Sequence, residues 1–152
     1  MKIPQLLTAA RIAVDVEARS KKRALELVAE ALAADTIDLG QAAVFTSLIG
    51  RERLGSTAVG HGVALPHGRA DGITDCVGAF IRLRDAVDFE ADDGDPVDLV
   101  FGLLVPTVCG DEHLAALSAI AQCFDDGNLR ESLRVAKDAD EVLRLMSEYQ
   151  CG

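Results

Sequence analysis

Tryptophan is absent from this chain of 152 residues, and aromatic side chains supply only 4% of it, so Leu, Val, Ile and Ala must fill its core. Cations are scarce as well. Fifteen Lys and Arg face 25 Asp and Glu, a formal net charge of −10. That balance excludes a nucleic-acid binder, which needs clustered cations for phosphates, and disfavours anionic membrane surfaces. It leaves docking onto a protein with a basic patch, through long-range steering. No apolar run approaches the ~20 residues of a membrane span, so no membrane insertion is expected. Met1-Lys2-Ile3-Pro4-Gln5 lacks the apolar core and cleavage site of a signal peptide, which points to a cytoplasmic chain. The four cysteines (76, 109, 123, 151) form no Cys-x-x-Cys pair and read as buried or idle thiols in a reducing compartment. Gly-x4-Gly-Lys-Ser/Thr is missing, and glycines 55, 60 and 62 do not match the dinucleotide fingerprint, so no cofactor is implied. With no repeat, low-complexity tract or linker, residues 1–152 are expected to form a single domain.

What is present is 49% apolar residues in clear periodic runs. Ser20 caps an expected helix over 21–34, where Ala24, Leu25, Val28, Ala31 and Leu32 follow helical spacing. Its first turn, Lys21-Lys22-Arg23, has the wrong sign for the helix dipole and reads as a solvated charge run or a partner surface. A second helix is expected over 40–50. Cys76–Leu83 reads as a buried strand, and Asp85 to Asp98 as a turn-rich excursion with seven acids. Val97 to Val105 is the most apolar run, a central strand ended by Pro106. Helices follow over 111–124, 128–136 and 138–149. Strands separated by helices imply an α/β layer fold.

The segment 51–69 differs from all of this. Glycines at 55, 60, 62 and 68 interrupt it, and it holds His61 and His67 with Arg51, Arg53 and Arg69. Pro66 keeps Leu65 extended and fixes its own φ, so His67 leaves a short strand at a defined angle. The third histidine, His113, falls in the first turn of the helix expected from Asp111, where free N–H groups favour an anion. Convergence of His67 and His113 on one phosphoryl group is therefore the sharpest hypothesis. A neutral imidazole offers a ring nitrogen for attack near pH 7. Phosphoryl transfer then asks the protein chiefly to position and neutralise. Arg51 and the helix start are expected around the phosphoryl oxygens, with Ser56, Thr57 and the Gly68 N–H adding hydrogen bonds. Each residue also has a plain structural role when taken singly: His67 in a turn, His113 at a helix start, Arg51 and Arg53 as surface charges, His61 in an exposed loop. The rival is a zinc site from His61, His67, His113 and Cys109, but neither spacing is an established one for zinc, and no metal is expected.

The motif itself resembles a known family. Arg-Glu-Arg-Leu-Gly-Ser-Thr and Gly-Val-Ala-Leu-Pro-His-Gly-Arg (51–69) are similar to the signature of phosphotransferase-system enzyme IIA of the fructose/mannitol superfamily. Residues 20–26, 96–106 and 112–118 follow the order and spacing of its nitrogen-regulatory branch. The resemblance runs from about residue 5 to 149. It implies a mixed central β-sheet flanked by helices on both faces. It also implies that His67 is phosphorylated on Nε2, that His113 is the second active-site histidine and that Arg51 is the active-site arginine. The implied donor is an HPr-like phosphocarrier protein, charged by enzyme I from phosphoenolpyruvate. Implied outputs are regulatory targets such as potassium transporters or sensor kinases. A transport-linked IIA that serves a IIB domain, and a binding module independent of phosphorylation, are the rival readings. Two departures stand out: His61, where related sequences carry Asn or Glu, and the segment 106–110 ahead of His113.

Overall fold

Alternation along one strand organises the molecule. In the computed structural model, which describes residues 5–36, 39–108 and 111–148 (side chains of 111–114 excepted), β6 (Val97–Pro106) is that strand. Leu99, Phe101 and Leu103 point to one face of the sheet, Val100 and Leu104 to the other, as a period of two requires. The first set packs with Ala116, Ile120 and Phe124 of α3 (Asp111–Phe124), Leu129 and Leu133 of α4 (Gly127–Val135), and Val142 and Met146 of α5 (Ala139–Glu148). The second packs with Leu25, Val28 and Leu32 of α1 (Lys21–Ala33) and Val44 and Leu48 of α2 (Gln41–Glu52). Helices thus cover both faces of a mixed sheet, as the resemblance implies.

The sheet runs β1 (Ile12–Val16), β5 (Val77–Val87), β6, β3 (Val63–Ala64), β2 (Ala58–Gly60), with β4 (His67–Ala70) also paired to β6. β5 and β6 are antiparallel, with Phe80 opposite Phe101. The other edge of β6 is shared: β3 lies parallel to Leu99 and Val100, and β4 parallel to Leu103 through Pro106. Pro106 is the last residue of the strand rather than the breaker beyond it.

Caps and stripes set the helices much as expected. Ser20 Oγ accepts from the Arg23 N–H at 3.1 Å, and Asp126 accepts from the N–H groups of Asn128 and Leu129. Two elements differ from expectation. β5 continues through Asp85 to Val87, so the acidic excursion starts later. β1 was not anticipated: Asp15 takes a positive φ of 58° and the pairing with β5 shifts register between Ala13 and Val16. A short, irregular edge strand leaves little alternation to read. Idle thiols are only part of the outcome. Cys76 is a buried, reduced cysteine, but Cys123, buried at the end of α3, is disulfide-bonded.

Arg11 pins the chain ahead of β1. Its Nε donates to the Gly78 carbonyl and Nη2 to the Leu6 carbonyl, each at 2.9 Å, and Nη1 meets Asp35 at 2.5 Å. The Asp35 carboxyl is held below the usual carboxylate range, first by the Thr8 hydroxyl and then by Arg11, with burial opposing. An Arg11→Ala change takes its donors from the Gly78 and Leu6 carbonyls, the latter still accepting from the Gly78 N–H at 2.8 Å, and should cost about 1–3 kcal/mol in urea unfolding at pH 7. Because the folded value of Asp35 is depressed, its contribution is complete above the unfolded value of about 3.9 and fades as pH falls through the folded one. The acid-induced loss of stability should therefore be shallower in Arg11→Ala than in the wild type.

Candidate functional site

The glycine-broken segment resolves into three short strands. His61 and Gly62 join β2 to β3 with φ values of 58° and 78°, the two left-handed positions of a type I′ turn. Asn-Gly is the preferred pair there, and His is among the few other residues that tolerate the conformation. The departure at residue 61 is thus a turn substitution. Its N–H donates to Asp93 Oδ2 at 3.0 Å, and Arg134 donates to its carbonyl at 2.6 Å. The Asp93 carboxyl is correspondingly held below its ordinary value, by the Asp95 N–H first and the His61 N–H second. His61 lines an open depression of about 660 Å³ with Asp95, Asp98, Arg130 and Arg134. His67 is not part of it.

His67 opens β4, directly after Pro66. Its Nδ1 lies 2.9 Å from the Leu65 carbonyl oxygen. A carbonyl only accepts, so Nδ1 carries the proton and the neutral ring has its lone pair on Nε2. The half-buried ring lines two adjoining depressions. One, of about 450 Å³, is lined with Ser47, Gly50, Arg51, Leu54, Leu103, Val105 and Leu117 among others. The second, of about 330 Å³, shares Arg51, His67 and Leu117 and adds Ser56, Thr57, Ala58 and Val59. The structure therefore brings Arg51 and His67 into one concavity.

Gly68 makes that possible. A Cβ at this residue would overlap Ser47 Oγ and sit 3.1 Å from Ser47 Cβ, so α2 can lie against β4 only because nothing is there. Ser47 Oγ accepts from the Arg69 N–H and donates to the Arg69 carbonyl, both at 2.9 Å, locking helix to strand. Residue 68 therefore has a packing role beside the phosphate-facing N–H expected of it. Sequence reasoning missed Ser47, although its signal was present: 47, 50, 51 and 54 are spaced i, i+3, i+4, i+7, one face of α2 and its exit. Arg51 Nη1 donates to the Gly55 carbonyl at 2.9 Å, which steadies the guanidinium at the rim.

The hydroxyls expected at the phosphate have partners inside the protein. Thr57 is buried, its Oγ1 donates to Glu52 Oε2 at 2.6 Å, and its N–H donates to Oε1 at 3.0 Å. Ser56 Oγ donates to the Phe89 carbonyl and accepts from the Ala58 N–H at 3.1 Å. A hydroxyl has one proton, and both are committed inward, so neither is free to donate to a phosphate oxygen. Glu52, its side chain 2% exposed, is neutralised by Lys21 Nζ at 2.8 Å. The wrong-sign lysine at the start of α1 thus has an internal counter-charge. Lys21 also lies 5.5 Å from the centroid of the Phe89 ring. This network shapes the turn between α2 and β2 and so the wall that holds Arg51.

Leu117, Ser118 and Ala121 bring α3 to the same concavity. His113 lies within α3, but its side chain, like Cys109, is outside the described residues. Its expected convergence with His67 is therefore not among the contacts described.

Residues 5–149 match the model of the family described as phosphoenolpyruvate-dependent sugar phosphotransferase system, EIIA 2. A nitrogen regulatory protein of Pseudomonas aeruginosa is 40% identical over 152 residues, covering 100% of this chain and 99% of that protein. One from Bradyrhizobium diazoefficiens is 42% identical over 147 residues, covering 97% of this chain and 95% of its own. Among solved structures, nitrogen regulatory protein IIA-Ntr from Neisseria meningitidis superposes with a TM-score of 0.88 at 44% identity, covering 95% of this chain and 98% of that one.

Gly68→Ala tests the packing account. Forcing a methyl between β4 and α2 should destabilise the protein by about 1–3 kcal/mol. A Gly68→Ala, Ser47→Gly double variant should recover part of that loss in the same denaturation assay.

Proposed function

The chain belongs to the EIIA 2 family of the phosphoenolpyruvate-dependent sugar phosphotransferase system, and on that premise we propose that it is a phosphocarrier accepting a phosphoryl group on Nε2 of His67. One observation carries this reading: the Nδ1–H bond to the Leu65 carbonyl, which leaves Nε2 as the nucleophile. The donor is a phosphorylated, HPr-like carrier protein. As the Nε2 lone pair forms the new N–P bond, the donor's N–P bond breaks and its electron pair returns to the donor imidazole. The Nδ1 proton of His67 stays in place throughout, and the Leu65 carbonyl stabilises the positive charge that grows on the ring. Arg51, at the rim of the same concavity, offers its planar fork to the phosphoryl oxygens.

His113 is assigned the second-histidine role through the family motif. Residue 113 precedes Leu117 by one helical turn on α3, and Leu117 lines both depressions beside His67, which supports the assignment. Ser56, Thr57 and Gly68 act on the phosphate only through the backbone they hold. The likeness to nitrogen regulatory proteins favours a regulatory output, in which the phosphorylation state of a single domain over residues 1–152 selects cytoplasmic targets such as potassium transporters or sensor kinases. Transfer to a IIB domain is the transport alternative, and label passing to a IIB partner would favour it.

Incubation with phosphoenolpyruvate, enzyme I and carrier should raise the intact mass by one PO₃ unit, and His67→Ala should abolish the gain. Undiminished phosphorylation of His67→Ala would move the site elsewhere. Arg51→Ala should slow acceptance by about 10²-fold with the fold intact. Arg51→Lys should restore only part of the rate, because the ammonium lacks the bidentate fork.

A further inference from the structure

Composition points to a partner with a basic patch, but the charges around His67 have the opposite sign. A third depression, of about 440 Å³, shares Ser56 with the second and is lined by Lys21, Lys22, Ile49, Glu52, Arg53, Gly55 and Glu90. Across all three, the described charged residues are Lys21, Lys22, Arg51, Arg53 and Arg69 against Glu52 and Glu90. Glu52 is buried and neutralised by Lys21. Lys22 and Arg53 are exposed, and neither makes an ion pair among the described residues. Of the seven acids between Asp85 and Asp98, only Glu90 lines any of these depressions. Among the described residues, Glu52 and Glu90 are the acids that line this face, and the other acids of the Asp85–Asp98 excursion line none of it.

The centre of the face is apolar and open. Leu54, 84% exposed, and Val59, 50% exposed, stand beside the His67 depressions. Gly50 faces the same space from inside α2, with no atom within 4 Å of where its Cβ would be. A glycine within a helix weakens it, and no described side chain occupies the room it leaves.

We propose that this face docks a phosphocarrier protein whose own histidine-bearing surface is acidic at its rim and apolar at its centre. The inference rests on the reading of His67 as phosphoryl acceptor and adds to it the charge of the partner. Lys22 and Arg53 steer the acidic rim, Leu54 inserts at the centre, and the space over Gly50 admits the partner's apolar side chains. Arg51 remains for the phosphoryl group. The Lys21-Lys22-Arg23 run is then divided by the fold: Lys21 is paired with Glu52, and Lys22 faces the partner.

The test measures the second-order rate of phosphoryl acceptance from two forms of one phosphorylated carrier protein. One form has acidic residues around its histidine, and the other has those acids changed to lysine. With the acidic form, the rate should fall about tenfold between ionic strengths of about 0.01 M and 0.15 M, as the screening length drops from about 30 Å to about 8 Å. A Lys22→Glu, Arg53→Glu double variant should lose about tenfold at low ionic strength and little at high. Gly50→Gln, which a helix tolerates well, should slow acceptance at both. Arg84→Glu reverses an exposed cation outside these depressions, next to Asp15, and should change the rate by less than about twofold. A faster rate from the lysine-rimmed carrier, or no effect of the double reversal at low ionic strength, overturns the inference while leaving His67 as acceptor. A wild-type chain that gains no PO₃ unit from either form removes the acceptor reading and this inference together.

Discussion

The approach of α2 to β4 at Gly68 is the constraint on which the site depends. The helix carries Arg51 and Leu54, the strand carries His67, and the two come together only because residue 68 lacks a side chain. Ser47 then bonds both the donor and the acceptor of Arg69, so the approach is held in register as well as in distance. Everything chemical follows from this fit. An imidazole aimed by its own strand needs a cation presented at a fixed place, and a helix locked to that strand presents it without mobile loops.

Preparation of the ring is equally local. The Leu65 carbonyl, positioned just before Pro66, selects the tautomer and frees Nε2. Around this pair, polar groups that resemble ligands are spent on scaffolding. Ser56 and Thr57 tie the turn to Phe89 and Glu52, and Glu52 in turn holds Lys21. Breaking a buried pair of this kind is costly, because the surviving charge is left without a partner in low dielectric. The site is thus a rigid wall with few groups facing outward, which suits a carrier that must accept and release the same phosphoryl group.

Much of the architecture was legible in the chain. The apolar run of Val97 to Val105, with its β-branched and aromatic content, marked the central strand, Ser20 marked the start of α1, and the helical run from Asp111 matched α3 at both ends. The failures have physical causes. β1 is short and bulged at Asp15, so pairing with β5 rather than local pattern makes it a strand. β5 outran its expected end because antiparallel pairing with β6, Val87 opposite Val97, recruits residues that read as turn formers. Ser56 and Thr57 were placed on the phosphate because a hydroxyl beside a histidine looks like a ligand. Their partners, Phe89 and Glu52, come from contacts that local reading cannot supply.

Residue identity alone marked the candidate imidazole, its rigid Pro-His-Gly setting and the layered α/β class, because these depend on covalent geometry and on apolar period. The I′ turn at His61-Gly62 belongs with them, since left-handed backbone is a property of two adjacent residues. Tertiary structure decided which imidazole nitrogen is free, which hydroxyls are already engaged and which cations share a face with His67. Hydrogen bonds and surface charge depend on distances between residues far apart in the chain. A net charge of −10 says nothing of where the acids go, and among the described residues folding brings Lys21, Lys22, Arg51, Arg53 and Arg69 to the depressions at and beside His67.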